Sequence, residues 1–274
     1  MRTLTLLNLK GGVGKTSSTH HLSGALTLGH GLRVLVVDAD PQASLTQGWW
    51  GPSATMDLDP KQTITSILAG DMPSPSMVIH ETGIPGLSLL PGAEAAGWYN
   101  DSRPLESPRE ARETIREFLA EVRDDFDLVL IDCPPNLYGC SFAALAASDW
   151  IIVPVQPEDY GSQGIAKVLN SLDAVRAEGY DVQLLGYLLT MVQPRRALHR
   201  AYEERLRSAY GTLVFDARFP ELPEFPEAIA ARKLIQTYKP KGAAAKATKA
   251  VADELLARIA GTHGRVEEGT EVAA

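Results

Sequence analysis

The sequence predicts an α/β fold, a doubly wound, mostly parallel β-sheet flanked by helices. Three observations predict it. Short strand-like runs recur along the 274 residues. They are continuously apolar rather than alternating, as parallel strands covered on both faces require. Helix-like stretches lie between them, and strand–helix–strand repeats imply right-handed crossovers in one sheet.

The strand-like runs are Thr3–Leu9, Arg33–Asp38, Asp127–Asp132, Trp150–Val155 and Val182–Thr190. The clearest helix follows Ser107, which with Glu110 forms a capping box, with Pro108 at the first helical position. Ala111, Ile115, Phe118, Leu119 and Val122 make its apolar face. Asp71–Ser76 (DMPSPS) reads as a surface loop. No internal repeat is present. Residues 1–261 are expected to form one domain, and 262–274, without apolar periodicity, to lack ordered structure.

Composition narrows the class. The chain is 45% hydrophobic and 22% charged, ordinary for a protein that buries a large core. A formal net charge of -8 supplies no global basic field for nucleic acid. Two cysteines, Cys133 and Cys140, are too few for a disulfide framework or an iron–sulfur cluster and suggest a reducing compartment. No apolar run approaches the roughly 18 residues of a membrane span, and no signal-peptide pattern is present, so a cytoplasmic protein is expected.

The chemistry concentrates at KGGVGKT, Lys10–Thr16, between the first strand and the next helix. A phosphate-binding loop reads G-x-x-x-x-G-K-[ST]. Gly14, Lys15 and Thr16 fit that template, but Leu9 stands at its first glycine and a second lysine, Lys10, follows. Glycines in such a loop let backbone N–H groups turn onto phosphate oxygens, and the following helix points its positive end at them. Lys15 would reach the β- and γ-phosphates and Thr16 would ligate Mg²⁺. Asp132 ends the third strand, at the carboxyl edge where such sheets bind ligands, suited to Mg²⁺ through water. Asp38 and Asp40 end the second at the same edge. One could order the metal's waters and the other orient the attacking water.

Other features read as structure. His20 and His21 have no third ligand at metal spacing. Trp49 and Trp50 suit either a core or a surface patch.

KGGVGKT, VVDADPQAS, LVLIDCPPN and IIVPVQPEDYGSQG together resemble the ParA/MinD family of deviant-loop ATPases, over Leu4 to about Ile259, closest to short ParA proteins. The resemblance implies ATP and Mg²⁺ as cofactors and an ATP-induced homodimer. It makes Lys10 the lysine that crosses to the partner's phosphates and Lys15 the one that serves its own. Lys10, Gly11, Gly12, Val13, Gly14, Lys15, Thr16 and Ser17 would form the loop, Asp40 would position the attacking water, and Thr16, Asp38 and Asp132 would surround the metal. Pro154–Gly164 would lie near the nucleotide and the dimer interface, and Phe219 and Pro220 would line the adenine pocket.

The resemblance further implies a ParB-like partner that stimulates hydrolysis, and non-specific duplex DNA bound by the dimer, giving nucleoid association. Arg195 and Arg196 fall where the family carries one DNA-binding arginine. Two others align with Glu221 and Glu224, which reverses their sign. Beyond them Ala228–Ala252 carries Arg232, Lys233, Lys239, Lys241, Lys246 and Lys249 with no acid, a candidate DNA surface or a solvated helical face. The acidic ending GRVEEGTEVAA lacks the amphipathic helix of the membrane-binding branch, so no membrane partner is expected. Two alternatives remain: a cargo-positioning or regulatory relative that does not use DNA, and a metabolic enzyme on the same core, which would need a second substrate pocket.

Overall fold

The computed structural model describes residues 1–158 and 161–270, with the side chains of all but 161–164 and 262–270. Seven strands form one sheet: β1 Arg2–Leu6, β2 Val34–Asp38, β3 His80–Glu81, β4 Leu87–Leu90, β5 Leu128–Asp132, β6 Trp150–Val155 and β7 Gln183–Leu189. Their order is β3-β4-β2-β5-β1-β6-β7, and every pairing is parallel except β3 with β4.

The continuous apolar strands resolve into two faces. Leu35 and Val37, Val129 and Ile131, and Ile151 and Val153 enter one core; Val34 and Val36, Leu128 and Leu130, and Trp150 and Ile152 enter the other. Side chains alternate across a strand, so helices on both sides favour apolar residues at nearly every position. Register then sets the site. β1 aligns Leu6 with Asp132, and β2 aligns Asp38 with Asp132. The exit of β1 and two buried carboxylates therefore meet at one edge.

Several expectations need correction. β1 ends at Leu6 rather than Leu9, because the chain turns out of the sheet. Asn8 donates from Nδ2 to the Pro154 carbonyl (2.7 Å) and accepts from the Lys10 N–H (2.9 Å). The helix after Ser107 runs Arg109–Glu121 with Pro108 as its N-cap and no side-chain cap bond, so the capping box does not form. Ile115, Phe118, Leu119 and Val122 are buried as expected, but Ala111 is exposed. A helical turn, Pro75–Val78, begins inside the loop expected at Asp71–Ser76. β3 and β4 have no counterpart among the strand-like runs of the sequence. The backbone of the terminal stretch is helical to Thr270, and 271–274 lie outside the described residues.

Candidate functional site

The loop between β1 and the helix Lys15–Gly24 is shaped by its glycines. Gly12 and Gly14 have φ of 75° and 82°, a left-handed backbone that only glycine adopts without steric cost. Gly14 is the N-cap and offers no side chain, so the first helical N–H groups are left for an anion. Thr190, just past β7, donates from Oγ1 to the Val13 carbonyl (2.8 Å) and fixes the loop to the far strand.

The two lysines are treated differently. Lys15 is buried, donating to the carbonyls of Asn8 (3.1 Å) and Lys10 (3.4 Å). Burial holds its ammonium below the usual lysine range, opposed by the nearby Asp132, Cys133 and Asp40. Lys10 points elsewhere. Its Nζ donates to Glu158 Oε2 at 3.0 Å, and both side chains are about two-fifths exposed (39% and 40%). Of the expected Pro154–Gly164 segment, 159–160 and the side chains of 161–164 lie outside the described residues.

Thr16 Oγ1 donates to Asp132 Oδ2 at 2.6 Å. Asp132 is fully buried, and its Oδ1 has no hydrogen-bond partner among the described residues. Burial, and then the nearby Asp38, push this carboxyl well above the usual range. Asp38 Oδ2 accepts from Thr46 N–H (2.8 Å) and Oγ1 (2.7 Å), yet burial still pushes its pKa up to about 7. Asp40 Oδ1 accepts from the Gln42 N–H at 2.9 Å.

Raised carboxyls and an orphaned oxygen beside a threonine hydroxyl suit a hard divalent cation. Among the described residues no group of three or more His, Cys, Asp or Glu side chains could hold a metal ion. Such an ion would therefore rely on one or two carboxylates, waters and phosphates, the usual setting for a small, strongly hydrated cation.

A cleft of about 620 Å³ opens from the loop, reaching Gly14, Ser17 and Ser18 at one end. Phe219 and Pro220 line it, as do Met191, Gln193 and Glu221. The sequence does not single out Gln193, Thr46 or Glu158: Gln193 and Glu158 meet partners 28 and 148 residues away, and Thr46 meets Asp38 through a turn eight residues long.

The basic run is not one helical face. It spans the end of Glu224–Ala230, a turn at Arg232 (φ 55°), the short helix Ile235–Tyr238 and the start of Ala243–Thr270. Acids from just outside it reach in: Glu227 pairs with Lys239 (3.1 Å) and Asp253 with Lys249 (2.7 Å). Arg195, Arg196, Arg232, Lys233 and Lys241 are exposed. Glu221 takes a hydrogen bond from Gln193, and Glu224 is half-buried.

His20 and His21 tie this segment to the loop helix. His20 Nε2 donates to the Lys233 carbonyl, and His21 lies between the Phe225 carbonyl (3.3 Å) and the Ile235 N–H (3.2 Å). Burial lowers their pKa values to about 4 and about 3. Both are neutral when folded but protonate near 6.5 when unfolded. Their stabilisation is full above that value and is lost as pH falls toward 4. Asp38 and Asp132, raised by burial, act in the opposite sense. The histidine effect is therefore read as a difference. His21→Gln should cost about 1–3 kcal/mol at pH 7, shrinking toward zero near pH 4, in urea unfolding of both proteins across that range. A pH-independent cost would show that His21 does not titrate in this way.

Trp49 packs in the core 4.5 Å from the His20 ring, and Trp50 is half-buried against His80. Both cysteines are buried with free thiols. No helix among the described residues is long and apolar enough to cross a membrane.

A glycine-rich loop leading from an interior strand of such a sheet into a helix is the architecture of P-loop nucleoside triphosphatases. A family model described as an AAA domain matches residues 1–184. The chain is 34% identical over 266 residues to the chromosome-partitioning ATPase Soj of Thermus thermophilus, covering 94% of this chain and 97% of that one. It is 31% identical over 264 residues to the chromosome partitioning protein ParA of Caulobacter vibrioides, covering 94% and 95%. The chain belongs to the ParA/Soj family of P-loop ATPases. Among solved structures, cobyrinic acid a,c-diamide synthase of Mycobacterium smegmatis, with bound ATP analogue and magnesium, superposes with a TM-score of 0.78 at 29% identity, covering 93% and 94% of the two chains. McdA of Cyanothece superposes at 0.80 and 20% identity, covering 93% and 99%, a likeness of fold.

Proposed function

We propose that this chain is a dimerising ATPase switch of the ParA type, which binds duplex DNA without sequence preference as its ATP dimer and partitions DNA with a ParB-like partner that stimulates hydrolysis. The observation that carries this reading is the division between its lysines. Lys15 is buried in its own loop, while Lys10 is held outward by Glu158 through an exposed pair. Such pairs contribute about 0–1 kcal/mol, so a second nucleotide's phosphates could displace Glu158 readily.

ATP binds with its phosphates at the glycine loop, where Lys15 reaches the β- and γ-oxygens. Thr16, Asp132 and Asp38 are the groups that would hold Mg²⁺, which neutralises phosphate charge. Asp40 orients the attacking water. Lys10 from the second copy stabilises charge developing on the γ-phosphoryl group, so hydrolysis waits for dimerisation. Full activity on a small molecule would point instead to a metabolic enzyme. A second cleft of about 660 Å³ beside Pro41 and Gln42 carries no cation among its lining residues, which does not favour that reading.

The test is DNA binding uncoupled from turnover. Asp40→Ala is titrated with ATP or ADP onto random duplex DNA across a salt series, with and without Lys233→Ala, Lys239→Ala and Lys241→Ala. Binding should require ATP and weaken steeply with salt. The triple change should reduce the salt slope by about two units per protomer rather than three, because Glu227 already engages Lys239. An ATP dimer that ignores DNA at low salt would favour the regulatory alternative, a dimer that reads a protein surface.

A further inference from the structure

We propose that Gln193 and Glu221 form the base-reading pair of the nucleotide cleft and give it a preference for the 6-amino group of adenine. The inference rests on the nucleotide reading above and assigns residues to a part of the site that its phosphate loop does not specify.

The pair is built by backbone geometry. Past β7 the chain runs beside residues 219–221. Val192 donates from its N–H to the Phe219 carbonyl (3.0 Å), and Glu221 donates from its N–H to the Val192 carbonyl (3.0 Å). This bridge joins Val192 to Pro220 in parallel and brings Gln193 and Glu221 together. The loop is held from behind as well, where His199 Nδ1 accepts from the Gln193 N–H at 3.0 Å. Gln193 Nε2 then donates to Glu221 Oε2. An ionised carboxylate only accepts, so the amide nitrogen must face it.

Both side chains line the cleft whose walls include Met191, Phe219, Pro220 and Ile229. Apolar walls suit a purine ring, and the cleft is continuous with Gly14 and Ser17, where phosphates would begin. Its polar edge is formed by this pair. Gln193 has one amide hydrogen left to donate, and the Glu221 carboxylate retains free lone pairs. Donor beside acceptor complements the Watson–Crick edge of adenine: Gln193 donates to N1, and the 6-amino group donates to Glu221. In the same register guanine would set its O6 against the carboxylate and its N1–H against the amide hydrogen, and both contacts repel.

The sign of Glu221 therefore has a use at the nucleotide. Its exposed carboxylate is engaged at the cleft edge rather than standing alone on a DNA-facing surface.

The experiment compares binding of ATP, purine riboside triphosphate (which lacks the 6-amino group) and GTP to the full chain with Mg²⁺. Wild type should bind ATP about 10- to 100-fold more tightly than the other two, the range of a hydrogen bond to a charged group. Glu221→Ala should bind ATP and purine riboside triphosphate with similar affinity. Glu227→Ala, which removes the same charge nearby without touching the cleft lining, should keep the wild-type preference. Circular dichroism and thermal melts check that each variant is folded.

A wild type indifferent to the amino group would overturn the inference while leaving nucleotide binding intact. So would a Glu221→Ala variant that keeps the preference, or a Glu227→Ala variant that loses it. Wild type that binds none of the three would overturn the nucleotide reading itself, and this inference with it.

Discussion

Asp40→Ala is expected to bind ATP with near-wild-type affinity and to hydrolyse it about 10²–10⁴-fold more slowly, the range for losing a group that handles a water's proton. Asp40 lies two residues beyond Asp38 at the carboxyl edge of β2, and its Oδ1 already accepts from the Gln42 N–H. That bond fixes the carboxylate in place. The substitution also removes a negative charge that disfavours ionisation of both Asp38 and Asp132. The nucleotide-free variant should therefore be no less stable than wild type, which separates a chemical defect from misfolding. Single-turnover phosphate release, binding of a fluorescent ATP analogue and a thermal melt make the comparison. Hydrolysis at the wild-type rate would remove Asp40 from the chemistry.

Lys10→Ala should have a comparable effect by a different route. A cation supplied in trans to a transferring phosphoryl group accelerates it by about 10³–10⁵-fold, so hydrolysis by Lys10→Ala should fall on that scale. Its ATP affinity as a monomer should change little, since Lys10 is held by Glu158 while Lys15 occupies the loop. Mixing decides whether the lysine acts across the dimer. A Lys10→Ala chain retains its own Asp40, and an Asp40→Ala chain can lend it Lys10. Equimolar mixing of these two inactive proteins should restore hydrolysis. A mixture that stays inactive, although mixed dimers form, would mean that Lys10 serves its own site.

The basic run is where sequence and fold diverge most. In sequence it has no acid; in the fold Glu227 and Asp253, immediately outside it, engage Lys239 and Lys249. Arg232 sits at a left-handed turn that breaks the run into separate helices. Net charge along a segment is legible from residue names. Charge presented to a partner depends on which acids the turns fold back.

The sequence by itself determined the parts that depend on local backbone geometry. Gly12 and Gly14 require positive φ, so a phosphate loop could be read from their spacing. Largely apolar runs identified β1, β2, β5, β6 and β7 because a sheet covered on both faces leaves few polar positions, Thr3 and Thr5 of β1 among them. It also put Asp38 and Asp132 at strand ends. Tertiary structure alone decided how those ends meet: that Asp38 stands beside Asp132, that Lys10 pairs with Glu158 across 148 residues, and that Gln193 meets Glu221 across 28. It likewise made a strand of Leu87–Leu90, too short and too closely flanked by Gly86 and Pro91 to signal itself, by offering it the open edge of β2. The physical reason is one of range. Side-chain period and glycine torsion act over a few residues and leave a mark in the sequence at that spacing. Pairings between distant segments depend on strand order and loop paths, for which no local pattern stands.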